Sequence, residues 1–365
     1  MKKSEKYISK GLVAVAAALV LTSCVNVDDF GADNQAPTVG FQTIVKKSDN
    51  TPRAAIEGVD YPSGVSFGAI ALSVGDGQTW DANHQDANTY IDNEEVKYFA
   101  SPANGYPAAS WHADELLLWP KTGTLTFFAY SPYRDNSNTP LGNVNVNPAT
   151  GIMTIADWDL RSAKHKNIDL MVADIQKDRT FLNSPSGVPT IFNHTLSRVD
   201  VKAGLMSEYN DGVFTYYITL RKVAFKQIFT KGDYESVPNN RWVNLENATT
   251  LTLYDCVAEG TGGIVLDISA DPVGETIFVL PQVHYEGSEG TEAEIFIEWH
   301  DSKDDAIKTF TFNLRQKFAD SHWGMGNHYT YYLAWNKGAP SFIEFEKPTI
   351  SADWANGGTF TLEVE

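Results

Sequence analysis

Apolar residues recur at every second position along this chain, in short runs bounded by Gly, Pro, Asn and Asp. The clearest runs are Leu125-Phe127-Ala129, Val199-Val201-Ala203, Phe214-Tyr216-Ile218-Leu220 and Leu251-Leu253. Later come Ile295-Ile297-Trp299, Phe310-Phe312-Leu314, Tyr329-Tyr331-Leu333-Trp335 and Phe360-Leu362-Val364. Successive side chains of a strand point to opposite faces, so one set meets a core while neighbours such as Arg198, Asp200 and Lys202 face water. No long stretch keeps a 3.6-residue period. The prediction is an all-β protein of antiparallel sandwich type, with a short helix expected over residues 157–164.

The chain has 365 residues, and a domain ordinarily takes about 100–200, so two folded domains are expected. Strands fall on both sides of a polar, turn-rich segment at residues 176–189, which contains Asn183-Ser184-Pro185-Ser186-Gly187. This places an N-terminal domain at residues 39–183 and a C-terminal domain at residues 184–365. No fixed-period repeat of a solenoid or propeller is evident.

The N-terminus breaks the alternation. Lys2, Lys3, Lys6 and Lys10 precede an apolar run at residues 11–21, followed by Leu21-Thr22-Ser23-Cys24. That run is about half the length a transmembrane helix needs, so it reads as a leader, residues 1–23. Small residues immediately before a cysteine match a bacterial lipobox, in which Cys24 carries the lipid and becomes the new N-terminus. Acyl chains contribute roughly 0.8 kcal/mol per buried CH₂, enough to anchor a folded domain that does not span the bilayer. Residues 24–38, with Asp28, Asp29, Gly31, Asn34 and Pro37, have too little apolar content to fold alone and read as a tether.

Composition narrows the function classes. A formal net charge of −18 without a dense Lys/Arg face argues against nucleic-acid binding. With two cysteines, Cys24 and Cys256, a disulfide framework is not the means of stabilisation, and Cys256 beside Leu251 and Leu253 reads as a small buried hydrophobe. Gly260-Thr261-Gly262-Gly263 lacks the Lys-Ser/Thr of a phosphate loop and reads as a turn. The histidines show no zinc spacing, and Asp301, Asp304 and Asp305 have the wrong spacing for a calcium loop, so they read as a solvated hairpin. No catalytic residue, metal site or cofactor is expected. Trp119, Trp299 and Trp335 fall at or beside alternating positions and belong in the core, whereas Trp80 and Trp111, in polar surroundings, are the expected exposed tryptophans.

Trp119-Pro120 followed by Leu125-Thr126-Phe127-Phe128-Ala129-Tyr130-Ser131-Pro132 resembles a characteristic strand of the fimbrillin family, the type V pilins and their relatives. Asp169-Leu170-Met171-Val172-Ala173 and Phe192-Asn193-His194-Thr195-Leu196-Ser197-Arg198-Val199 resemble the pair of segments that joins that family's two domains. Val279-Leu280-Pro281-Gln282 and residues 323–332 are similar to its later stretches.

The resemblance implies two tandem transthyretin-like β-sandwiches and a structural, non-enzymatic role as a fimbrial subunit or adhesin. It implies export as a lipoprotein to the outer membrane, cutting by a trypsin-like protease after an arginine, and removal of the first strand. The C-terminal strand of another subunit then fills the groove. Matched to this chain, Val39, Phe41 and Val45 form the first strand, and the cut falls between Arg53 and Ala54, with Lys46-Lys47 as a competing basic site. Phe360, Leu362 and Val364 are the donor side chains, unless residues 359–365 close their own domain's sheet, and Phe192, His194, Leu196 and Arg198 form the junction motif. The implied partners are other fimbrillin subunits, the outer membrane through the lipid, and a host or bacterial surface receptor. A monomeric surface lipoprotein that binds glycans is the alternative.

Overall fold

The computed structural model describes residues 37–46, 58–106, 108–134, 144–162, 165, 168–236, 238, 240–246, 248–283, 292–314, 322–336 and 343–351. Described residues fold as strands joined by turns, with one short α-helix, α1 (Trp80–Asn83). The strands of the first half are β1 (Phe41–Lys46), β2 (Gly58–Asp60), β3 (Phe67–Val74), β4 (Asn88–Phe99), β5 (Ser110–Ala113), β6 (Thr124–Ser131), β7 (Val144–Asn147), β8 (Ile152–Asp159), β9 (Met171–Ala173), β10 (Gln176–Arg179) and β11 (Val188–His194). There follow β12 (Ser197–Leu205), β13 (Ile218–Ile228), β14 (Lys231–Glu235), β15 (Arg241–Glu246), β16 (Thr249–Asp255), β17 (Ile264–Val265), β18 (Asp271–Pro272), β19 (Ile277–Val279) and β20 (Gln282–Val283). The last are β21 (Glu294–Asp301), β22 (Ala306–Asn313), β23 (His322–Trp323), β24 (His328–Trp335) and β25 (Ile343–Ser351). The all-β sandwich expectation holds.

The first sheet runs β10-β6-β3-β4-β5-β1-β11-β9, and β9 pairs back onto β6 at Tyr130↔Val172 and Ser131↔Met171. The sheet therefore closes into a ring, which removes the free edges a sheet otherwise exposes. Phe67, Ala69 and Ala71 of β3 join Leu125, Phe127 and Ala129 of β6 in the core inside the ring. The intervening Ile70, Leu72, Val74, Phe128 and Tyr130 form a second core with Val144, Met153, Trp158, Tyr234 and Trp242 of the four-stranded sheet β15-β14-β8-β7. Burial on both faces turns these two segments into nearly continuous apolar runs.

The second region is a sandwich of β18-β12-β24-β25 on β16-β13-β21-β22, with β19 added to β12 and β17 to β13. One core fills it, drawing Val199, Val201, Phe225, Ile295, Ile297, Tyr331 and Leu333 from facing strands. Here the strands alternate as expected: Ile295, Ile297 and Trp299 are buried while their neighbours are partly exposed.

Several expectations are corrected. Residues 157–159 end β8, where Asp157 takes a positive φ at a register shift, and no helix forms at the described positions there. Phe214 and Tyr216 precede β13, and Phe214 is 64% exposed, because Asp211 folds residues 211–216 into a turn by accepting from the Val213 and Phe214 N–H groups. Trp80 and Trp111 are buried, at 3% and 8% exposure, since α1 and β5 each lay an indole on a core. Asp301 is buried too, bound to Lys308 at 2.7 Å, so that acidic cluster is more than a solvated loop. β11, which follows the turn-rich segment, belongs to the first sheet, while β14 pairs with β8 and β15 with β14; sheet membership changes at Thr195 and Leu196. Cys256, Trp119, Trp299 and Trp335 are buried as expected.

Candidate assembly site

The first strand is part of the ring's wall, between β5 and β11. β1 pairs in parallel with β11 from Phe41↔Val188 to Val45↔Phe192, touches β5 at Phe41↔Trp111, and carries β2 in antiparallel register beyond Ile44. Alternation along residues 39–45 sends Val39, Phe41 and Val45 into the inner core, each buried. Phe41 meets the rings of Phe67 and Phe127 edge-on, at centroid distances of 5.5 and 6.0 Å.

Tyr61, just past β2, stacks on Phe192 at 4.8 Å and meets Trp111 edge-on at 5.2 Å. Its hydroxyl shares a 2.7 Å hydrogen bond with Ser131 Oγ, and burial pushes its phenol up to about 12. Aromatic side chains from β1, β3, β5, β6 and β11 thus converge where β1 is inserted. Tyr61, Phe67 and Trp111 were not singled out as partners of β1, and only their aromatic character could have suggested it.

The junction residues act as a pinned crossing between sheets. Phe192 faces the inner core and Leu196 the outer one. His194 Nδ1 lies 2.8 Å from Asp169 Oδ2, which brings together the two segments that the sequence pairs by resemblance. Trp242 Nε1 donates to the Thr195 carbonyl at 2.7 Å, the Gly326 N–H to the Leu196 carbonyl at 2.9 Å, and Ser197 Oγ to the Gly324 carbonyl at 2.7 Å. The Thr195 and Leu196 carbonyls at the change of sheet are thereby satisfied from different segments.

Arg198 and Asp200 were expected to face water, yet both enter a bonded group. Arg198 Nη2 lies 3.4 Å from Asp200 Oδ2 and 3.3 Å from Thr276 Oγ1, and His328 Nε2 lies 2.6 Å from Asp200 Oδ2. Thr276 Oγ1 also donates to Asp200 Oδ1. Burial works to raise the Asp200 pKa but is outweighed by the hydrogen bonds from His328 and Thr276 and by the Arg198 charge, which hold the carboxyl below its ordinary value. Cys24, Arg53, Ala54, Phe360, Leu362 and Val364 lie outside the described residues.

A ring-closed sheet with its first strand seated between two others, joined at a pinned crossing to a second sandwich, defines a tandem β-sandwich protein. The chain belongs to the fimbrillin-like family, whose model matches residues 71–354. A fimbrial protein from Bacteroides vulgatus is similar in structure, with a TM-score of 0.58 at 17% identity over 87% of this chain and 99% of that one. A C-terminally truncated tip fimbrial protein from Porphyromonas gingivalis aligns over 87% of this chain and 100% of that one, with a TM-score of 0.43 and 14% identity. No curated protein matches the chain.

Proposed function

We propose that this chain is a fimbrial subunit, exported as a lipoprotein through Cys24 and assembled by strand exchange with other subunits. Cutting between Arg53 and Ala54 would release β1, and the vacated seam between β5 and β11 would receive Phe360, Leu362 and Val364 of another copy or a related subunit. The observation that carries this reading is the position of β1: it comes from the N-terminal end of the chain yet occupies an interior place in the ring, with Val39, Phe41 and Val45 in the core.

An incoming strand would regain the ladder hydrogen bonds along β11. Its buried side chains would contribute roughly 1.5–3 kcal/mol each before the entropic cost of association. Phe360, Leu362 and Val364 repeat the two-residue spacing by which Val39 and Phe41 enter that core.

The test is brief trypsin treatment of the purified protein followed by electrophoresis without boiling. Ladders resistant to SDS are expected, and they should vanish in Arg53→Ala and on deletion of residues 359–365. A product trimmed after Arg53 that stays monomeric would refute strand exchange.

A further inference from the structure

A cleft of about 160 Å³ opens at one end of the first region, where α1, the β7–β8 turn, the link from β9 to β10 and Pro238 meet. Ligand sites for drug-sized molecules run to roughly 300–1,000 Å³, so this one suits a single small ring.

Its polar groups are well placed. The Trp80 backbone N–H donates to Asp178 Oδ1 at 2.7 Å, which fixes the start of α1. The Trp80 side chain is buried and lines the cleft, and among the described residues its indole N–H has no hydrogen-bond partner. Beside it, 5.5 Å away between ring centroids, His84 donates from Nδ1 to the Pro148 carbonyl at 2.6 Å. In the neutral ring that leaves Nε2 as an acceptor.

Gly151, at φ +69°, faces both rings: a Cβ there would lie 3.6 Å from Trp80 Nε1 and 3.6 Å from His84 Nδ1. Glycine both tolerates that backbone and keeps the rings uncovered. At the rim Lys177 Nζ pairs with Asp81 Oδ1 at 2.5 Å, placing a donor and an acceptor side by side with no net charge.

We propose that this cleft binds one neutral pyranose unit, such as the terminal residue of a glycan. Each sugar hydroxyl both donates and accepts, which matches the indole N–H, the imidazole nitrogen and the Lys177–Asp81 pair together. Ile175 and Pro238 offer apolar contact for the C–H face of the ring. An anion would meet the Asp81 carboxylate, and a cation the Lys177 ammonium.

The test uses the full chain and saturation-transfer NMR with the methyl glycosides of galactose, mannose and N-acetylglucosamine, beside methyl sialoside and inorganic phosphate. At least one neutral glycoside should take up saturation, with affinity falling about tenfold in Asp81→Ala and in Lys177→Gln while the thermal midpoint is unchanged. Both side chains are solvent-exposed, so these variants keep the fold. No neutral binding up to about 20 mM, equal binding by the variants, or binding of sialoside or phosphate alone would each overturn the proposal.

Discussion

The two regions of this molecule solve the same packing problem differently. In the first, β3 and β6 carry core residues on both faces, so inner and outer cores share the same backbone. In the second, a single core lies between two sheets, and β21 and β22 turn their other faces outward. A shared wall transmits damage from one core to the next, whereas the sandwich confines it.

The sharpest way to break that comparison is Phe41→Ala. Truncating a buried phenylalanine costs about 3–5 kcal/mol, and denaturant unfolding should show that loss if β1 is integral to the ring. A loss below about 1 kcal/mol would mean that the ring is not held by its first strand.

In the second region Asp200→Asn removes the charge that His328, Thr276 and Arg198 bind, for an expected loss of about 1.5–3 kcal/mol. The folded-state pKa of Asp200 is depressed, so its contribution is present above the unfolded value near 3.9 and is lost as pH falls through the folded value. Urea midpoints measured across this acidic range should therefore fall more steeply for the wild type than for Asp200→Asn.

Gly68→Ala probes the shared wall itself. A Cβ at residue 68 would lie 2.3 Å from the Tyr130 ring, whose hydroxyl is tied to Asn93 and to the Arg134 carbonyl at 2.7 and 2.9 Å. Tyr130 has nowhere to move, so overpacking should cost about 1–3 kcal/mol, read from the thermal midpoint. The smallest effect is expected at Lys97→Ala, which breaks exposed ion pairs to Glu95 and Asp114 and should change stability by at most about 1 kcal/mol.

Much of the second sandwich was legible in the sequence. Runs such as Ile295-Ile297-Trp299 and Tyr329-Tyr331-Leu333-Trp335 alternate because one face is buried, and each became a strand. The continuous Leu125–Tyr130 stretch signalled a strand through its motif, while its two-faced burial needed the outer sheet to explain it. That sheet was not legible, because β8 and β14 pair across the intervening strands β9 to β13 and local periodicity carries no information about distant partners. The same holds for the parallel pairing of β1 with β11, which draws a strand from beyond the turn-rich segment into the first sheet. Trp80 misled because its polar neighbours belong to a short helix with one buried face. At the junction, the resemblance named both Asp169 and His194 but could not foresee the network around Asp200, whose His328 partner lies on a remote strand.

The parallel pairing of β12 with β24 has a mechanical meaning. It runs in unbroken register from Arg198↔His328 to Leu205↔Trp335. Tension applied between the junction at Ser197 and the far end of β24 at Trp335 pulls these two strands from opposite ends of their ladder. The force then acts in shear, and every rung resists together before any can part. By contrast the antiparallel β21–β22 hairpin, pulled at Glu294 and Asn313, would unzip one rung at a time. Along the β12–β24 line the second sandwich is therefore built to yield late under extension, its rate of forced unfolding set by the collective rupture of the whole ladder.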